Sequence, residues 1–215
     1  MINENIIHLK QYINLMAQKK KLINSDVSKI KKIIVDGRKV NSSTHYLFDD
    51  KQNHEVFMLL DMLKYNDSID LIFKSVDRMI SISFKPNFNN TNVTSMSSLF
   101  SGCFLLKSID LSNFDTSNAR NMLGMFHNCY SLISLNLSNF DTSNVNNMLG
   151  MFYNCYSLTS INLSNFNTSN VVSMSSMFYN CYSLTSINLS NFNTSKVFTM
   201  SSMFYNCSNL QYINI

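Results

Sequence analysis

Five cysteines are the residues of this chain with the clearest potential for chemistry, because thiolates bind metals, form disulfides and attack electrophiles. They recur every 26 residues, as Cys103, Cys129, Cys155, Cys181 and Cys207. Zinc sites use cysteines about two to four residues apart, and side chains that project in parallel from equivalent positions are badly oriented for a disulfide. We therefore predict buried structural thiols, with no metal and no cofactor.

No other set of residues predicts catalysis. The four histidines are scattered, no serine has a histidine and a carboxylate at an interpretable spacing, and the four glycines form no phosphate-binding loop. The acidic residues that come nearest to a cation site match no known loop spacing; they are Asp36, Asp49, Asp50 and Glu55. The predicted function is therefore non-enzymatic, with an enzyme housed in residues 1–86 as an alternative.

The cysteine spacing is part of a 26-residue repeat that runs from residue 87 to residue 215. Residues 139–164 and 165–190 are identical at 21 of 26 positions. One such unit is too small to bury its own apolar side chains, but units stacked in register bury a continuous apolar column. The repeat therefore predicts a solenoid of about five units.

Two spacings within a unit predict its elements. Val171, Met174 and Phe178 fall on one face of a short helical turn. Ile187 and Leu189 alternate with small polar residues, as in a strand whose apolar side faces inward. Each unit is therefore predicted to contain a short parallel strand, a loop and a helical turn, which makes the array an α/β fold.

The repeat motif resembles a known family. Cys181, Leu184, Ile187 and Leu189 give the spacing C-x2-L-x2-I-x-L, and this cysteine ends the run M-F-Y-N-C. The pattern resembles the BspA-like leucine-rich repeats of bacterial and protozoan surface proteins, and it is closest to the mycoplasma-type repeat. The resemblance covers residues 87–215. It implies a leucine-rich-repeat solenoid with a role in adhesion or in binding host and matrix proteins.

Residues 1–86 share no period with the array, and they hold 14 of the 17 basic and 10 of the 13 acidic residues. Because the end of a solenoid core must be covered, we predict an N-terminal α+β capping domain here, with a separate binding or docking role as the alternative. The predicted elements are helices at Asn5 to Lys21 and His54 to Tyr65, a hairpin at Ile33 to Val40 that turns at Asp36-Gly37, and strands at Ile69 to Phe73 and Met79 to Phe84.

Small polar residues on the predicted strands form a candidate binding surface, which we call the strand face. Solenoids often bind partners on such a face, and uncharged amides and hydroxyls suit hydrogen bonding to a glycan or an extended peptide. An inert solvated surface is the alternative. The strand face consists of Asp110, Ser134, Asn136, Ser160, Asn162, Ser186 and Asn188.

Tyrosines at equivalent positions form a second candidate. One column contains Tyr153, Tyr179 and Tyr205, and a parallel column contains Tyr130, Tyr156 and Tyr182. Tyrosine is a frequent interface anchor. Stacked tyrosines also stabilise an array without binding anything, so both readings stay open.

Charge and hydropathy narrow the classes of partner. The formal charge of +4 gives no strong nucleic-acid footprint, and no apolar stretch is long enough for a transmembrane helix. No export signal or anchor is recognised, so the resemblance predicts a cell-surface location and the cytoplasm is the alternative. The open C-terminal coil predicts a homodimer, with a longer array or a tolerated exposed end as alternatives.

These observations predict a binding module. The ligand is a protein or a glycan, and the expected role is adhesion or host and matrix interaction at a cell surface. An intracellular protein-interaction scaffold is the alternative, because the cysteines are unpaired.

Overall fold

The computed structural model of the chain describes residues 68–70, 72–75, 79–84, 88 and 90–215, together with the backbone of six earlier strands. The earlier strands are β1 (Asn5–Tyr12), β2 (Gln18–Lys21), β3 (Ile30–Val35), β4 (Arg38–Val40), β5 (His45–Phe48) and β6 (Asn53–Leu60). The later ones are β7 (Met79–Phe84), β8 (Ser108–Asp110), β9 (Ser134–Asn136), β10 (Ser160–Asn162), β11 (Ser186–Asn188) and β12 (Tyr212–Asn214).

Successive repeats stack as coils, each of which contributes one short parallel strand. Strand β10 pairs with β9 in register, with Ser160 opposite Ser134, and β11 pairs with β12 in the same way. A second ladder of single parallel bridges joins equivalent residues on another side of the coils, at Ser68, Ser95, Asn121, Asn147, Ser173 and Thr199. The array is thus a stack of repeated parallel strands, as the predicted repeat solenoid requires.

The segment that follows the second ladder is not the predicted helical turn. Met177 N–H donates to the carbonyl of Met174, three residues back, and Tyr179 N–H does the same to Ser176. Ser176 and Asn180 have positive φ values of 55° and 58°, which a right-handed helix does not contain. The intervening N–H groups donate to the next coil, so hydrogen bonds between coils replace the bonds within a helix.

An incomplete coil precedes the first full repeat. The N–H of Ile69 donates to Ser95, the N–H of Phe73 donates to Leu99, and both distances are 3.0 Å. The Phe73 ring stacks on Phe100 with a centroid separation of 5.6 Å. Residues 69–73 therefore turn rather than extend, and the strand predicted at Ile69 to Phe73 is wrong. The strand predicted at Met79 to Phe84 is confirmed as β7, which pairs in parallel with β8.

Strand β7 also joins the array to the N-terminal strands. A six-stranded sheet has the order β4-β3-β6-β1-β7-β8, in which β1 is antiparallel to both β6 and β7. The helix predicted at Asn5 to Lys21 is wrong because β1 and β2 lie there, and the helix predicted at His54 to Tyr65 is wrong as far as Leu60 because β6 lies there. Residues 61–65 lie outside the described ones.

Long-range pairing explains why the N-terminal strands form. The eight residues of β1 pair with β6 from Asn5 opposite Leu60 to Tyr12 opposite Asn53, and these backbone bonds override the local helical spacing. The hairpin of β3 and β4 is confirmed, with Val35 opposite Arg38. Its turn residues are outside the described part of the chain, and the division of the chain at residue 86 stays a prediction.

Columns of equivalent side chains form the core of the array. The rings of Phe126, Phe152 and Phe178 are fully buried and stack at centroid separations of 5.7 and 5.3 Å. A polar column also runs through the interior. The hydroxyl of buried Thr142 accepts the N–H of Asn167 at 2.8 Å and donates to the carbonyl of Asn167 at 3.0 Å. Apolar contacts and hydroxyl pairing together fix the register of the coils.

Candidate binding surface

Stacking holds the strand face in regular rows. The residues between its polar members point inward, so Ser134 and Asn136 are exposed while Leu135 is buried. The register of β9 and β10 sets Asn162 directly beside Asn136, and Ser160 beside Ser134. All residues predicted for this face are exposed, including Asp110, Ser186 and Asn188. The structure therefore brings together the serine and asparagine rows that the sequence placed on one side of the strands.

Local hydrogen bonds orient the asparagine amides of the strand face. The Oδ1 atoms of Asn136, Asn162 and Asn188 each accept the backbone N–H two residues later, at 3.0 Å. This turn fixes the amide plane without using its N–H donors. No hydrogen bond within the described residues uses Nδ2 of Asn136 or Asn162. These coils therefore present oriented donors to solvent.

Asp110 adds the one acidic group of the strand face. Its Oδ1 accepts the backbone N–H of Ser112 at 3.0 Å. Hydrogen bonds from the side chain and backbone of Ser112 hold the pKa of Asp110 below its usual value. The first coil of the face is therefore anionic near neutral pH.

The tyrosine columns are continuous ring stacks, and each is one ring longer than predicted. His127 stacks on Tyr153, which stacks on Tyr179 and then Tyr205, with centroid separations of 4.5 to 4.8 Å. The other column begins at Phe104 and continues through Tyr130, Tyr156 and Tyr182 at 4.6 to 5.0 Å. Because neighbouring rings cover one another's faces, the inner tyrosines offer ring edges and hydroxyls to a partner.

An asparagine ladder lies beside the tyrosine columns. Asn154 Nδ2 donates to Asn128 Oδ1 at 2.8 Å, and Asn180 and Asn206 continue the chain of amides at 2.7 and 3.0 Å. Burial, followed by the neighbouring tyrosines, raises the pKa values of Tyr156 and Tyr179. The tyrosine hydroxyls therefore stay neutral under physiological conditions, and within the described residues no hydrogen bond or ring contact joins this edge to the strand face.

The middle of the array carries no charge. Residues 142–195 contain no aspartate, glutamate, lysine, arginine or histidine. The exposed surface of these coils is made of amides, hydroxyls and phenol groups. Such a surface attracts neither phosphate backbones nor anionic membranes, and it suits a ligand that is recognised by neutral hydrogen bonds.

The cysteine column is structural. Four of the five thiols are fully buried, and Cys207 in the last coil is half-buried. Each Sγ contacts the carbonyl of a phenylalanine in the preceding coil, as Cys155 does with Phe126 at 3.3 Å. Burial raises the pKa values of Cys129 and Cys155 well above the usual value, which leaves the thiols protonated.

The four buried thiols are expected to resist alkylation in the native protein, because their thiolate form is suppressed and reagent cannot reach them. Titration with a chromogenic thiol reagent should find Cys207 reacting first and the other four only on unfolding. Denaturant supplies the control, since all five should then react. Rapid reaction of all five without denaturant would contradict the buried column.

Two further properties of the described residues bear on function. They contain no group of three or more histidine, cysteine, aspartate or glutamate side chains that could hold a metal ion. They also contain no helix that is both long and apolar enough to span a bilayer.

Sequence reasoning missed several contributors to this surface. Phe104 starts a ring column, although its position equivalent to Tyr130 signals this once the 26-residue period is applied. The buried threonine column was equally visible as Thr116, Thr142 and Thr168 at constant spacing. The incomplete coil at residues 68–84 was hidden because it is separated from the next by 27 residues rather than 26, as Ser68 pairs with Ser95.

Comparisons with known proteins give one similarity. A family model described as "Mycoplasma protein of unknown function, DUF285" matches residues 67–162 and, in an overlapping match, residues 131–214. The two matches span the full repeats and the incomplete coil before them. Searches of curated proteins and of solved structures give no match to the chain.

Proposed function

The chain belongs to DUF285, a family of Mycoplasma proteins of unknown function, and we propose that it is a non-enzymatic module that binds a protein or a glycan through its strand face. The observation that carries this proposal is the row of oriented amides at Asn136 and Asn162, whose donors face solvent. A rigid scaffold that holds donors in place lowers the entropy cost of binding. The BspA-like character of the repeat supports adhesion at a cell surface as the role.

A charge on this face should abolish binding without unfolding the array. The variant Asn136→Lys, Asn162→Lys, Asn188→Lys removes the oriented amides and places three like charges on adjacent coils, so we expect at least about a hundredfold loss of affinity. Binding is measured against printed neutral glycans and immobilised matrix proteins. Circular dichroism melting should show a small change only, because the three residues are exposed.

A matched control adds the same charge elsewhere. The row that contains Asn146, Val172 and Phe198 is exposed in all three coils, and Arg120 already occupies it in an earlier coil. Lysine at these three positions should leave affinity unchanged. If the strand-face variant binds as tightly as the parent protein, the strand face is not the site, and the tyrosine columns become the surface to mutate.

An intracellular protein-interaction scaffold is the second candidate, because the chain keeps its five thiols unpaired. Protease shaving of intact source cells separates the two roles. Loss of the protein, while a cytosolic leakage control survives, supports adhesion. Protection until lysis supports the scaffold and directs the search for partners to the cytosol.

A further inference from the structure

The outer edge of the last coil carries four backbone N–H groups without an acceptor among the described residues. They belong to Met200, Ser202, Phe204 and Asn206. Ser202 and Asn206 have positive φ values of 57° and 61°, as do their counterparts in earlier coils. The alternating backbone points the four donors out of the same side of the coil, away from the preceding coil.

Every inner coil shows what this edge binds. The equivalent N–H groups of Met174, Ser176, Phe178 and Asn180 donate to carbonyls of the next coil at 2.9 to 3.0 Å. Those of Met148, Gly150, Phe152 and Asn154 do the same at 2.8 to 3.1 Å. The acceptors are always the carbonyls of every second residue. The last edge is therefore shaped to receive a backbone that presents carbonyls in that pattern.

The side chains at the last edge are apolar and partly uncovered. A cavity of about 310 Å³ opens beside the donors and is lined in part by Phe192, Met200, Met203 and Phe204. Met200 is 47% exposed, whereas its counterpart Met174 is fully buried under the next coil. In the inner coils this space is filled by methionine and phenylalanine of the following repeat. The occupant must therefore bring apolar side chains together with its carbonyls.

Hydrogen-bond polarity decides between occupants. A second copy that docks its own last coil about a twofold axis sets N–H donors against N–H donors, which leaves them unpaired and costs stability. The opposite end of the strand column is already continued by β1. The homodimer predicted from the sequence thus requires a mismatched contact on this side of the edge.

We propose that the outer edge of residues 191–215 is a docking site for a coil of the same repeat type carried by another polypeptide. The partner contributes a row of backbone carbonyls to the four N–H groups and apolar side chains to the cavity. The last coil carries a single charged side chain, Lys196, so the partner edge is expected to be neutral. This surface is separate from the strand face.

The probe is a synthetic peptide with the sequence of residues 165–190, added to the full chain. Amide hydrogen exchange should slow at least about tenfold at Met200, Ser202, Phe204 and Asn206. The N–H groups of the inner coils should not change, since they are already bonded. The variant with lysine at Asn136, Asn162 and Asn188 should show the same protection, which distinguishes this site from the proposed strand-face function.

A pair of variants tests the cavity. Met200→Asp places a charge in the cavity and should abolish the protection, whereas Phe198→Asp changes a residue of the same coil that is 93% exposed and does not line the cavity. Equal peptide binding by both variants would overturn the proposal. Slowed exchange at the four amides that depends on protein concentration without peptide would also overturn it, because the occupant would then be a second copy.

A covalent version removes the cost of ordering a free peptide. One more unit, serine followed by the sequence of residues 165–190, is joined after Ile215. The four N–H groups should then exchange as slowly as those of Met174, Ser176, Phe178 and Asn180. Fast exchange in both the peptide and the fusion experiments would overturn the proposal.

Discussion

Replacing Phe152 and Phe178 together by alanine is expected to lower the free energy of unfolding by at least about 5 kcal/mol. Both rings are fully buried and stack on each other at 5.3 Å, and they continue to Phe126 and Phe204 at 5.7 and 5.5 Å. Single phenylalanine-to-alanine changes in cores cost about 3 to 5 kcal/mol. The two effects overlap because the rings share one column, so the expected loss is below their sum.

The loss is large compared with the total stability of a domain, about 5 to 15 kcal/mol, so the variant should be largely or wholly unfolded at room temperature. Urea unfolding followed by circular dichroism measures it. Phe198→Ala is the matched control, because that ring is 93% exposed and its removal should change stability by about 0.5 kcal/mol at most. A double variant that melts with the parent protein would show that the rings are not in the core.

The period of the sequence predicts which residues lie in the core but not how the backbone turns. Equal spacing alone placed Cys155 and Phe152 in buried columns, because only stacking in register can bury the same residue type in every unit. The i, i+3, i+7 spacing of Val171, Met174 and Phe178 also occurs in two successive turns. Hydrogen bonds between coils decide between turns and a helix, and local spacing does not report them.

One signal in the sequence does point to the turns. Gly102 replaces the asparagine found at Asn128 and Asn154, and Gly124 replaces the serine found at Ser176. All five residues have positive φ. Glycine and asparagine exchange where the backbone is left-handed, so this substitution pattern excludes a helix at both positions.

The N-terminal errors have a different cause. Residues 5–12 carry apolar side chains at spacings that fit either a helix or a strand, and the partner that decides, β6, lies about fifty residues further along the chain. Residues 69–73 looked like a strand because Ile69, Ile72 and Phe73 are β-formers. In the structure they fill positions taken by methionine and phenylalanine in later coils, which the shift to 27 residues concealed.

The exposed faces were placed correctly for a simple reason. Alternation within a three-residue strand fixes which side chains face out, so Asn136, Asn162 and Asn188 follow from the sequence. The turn in which each amide accepts a backbone N–H needs the chain direction after the strand, and that came from the structure.

The threonine column should be the most sensitive polar feature of the array. We expect Thr142→Val to lower the free energy of unfolding by about 2 to 4 kcal/mol, although valine has nearly the same shape. The Thr142 hydroxyl both accepts the N–H of Asn167 and donates to the carbonyl of Asn167, at 2.8 and 3.0 Å. Valine removes both bonds and leaves these two backbone groups without their partner, and an unpaired buried polar group costs about 1 to 3 kcal/mol.

Two variants separate the hydroxyl from its surroundings. Thr142→Ser keeps the hydroxyl and loses a methyl group, so it should cost only about 1 kcal/mol. Thr194→Val changes the equivalent residue of the last coil, which is exposed, and should cost about 0.5 kcal/mol or less. Urea midpoints give the order, and hydrogen exchange at Asn167 should speed up in the valine variant alone. If serine and valine at position 142 destabilise equally, the methyl group rather than the hydroxyl fixes the register of the coils.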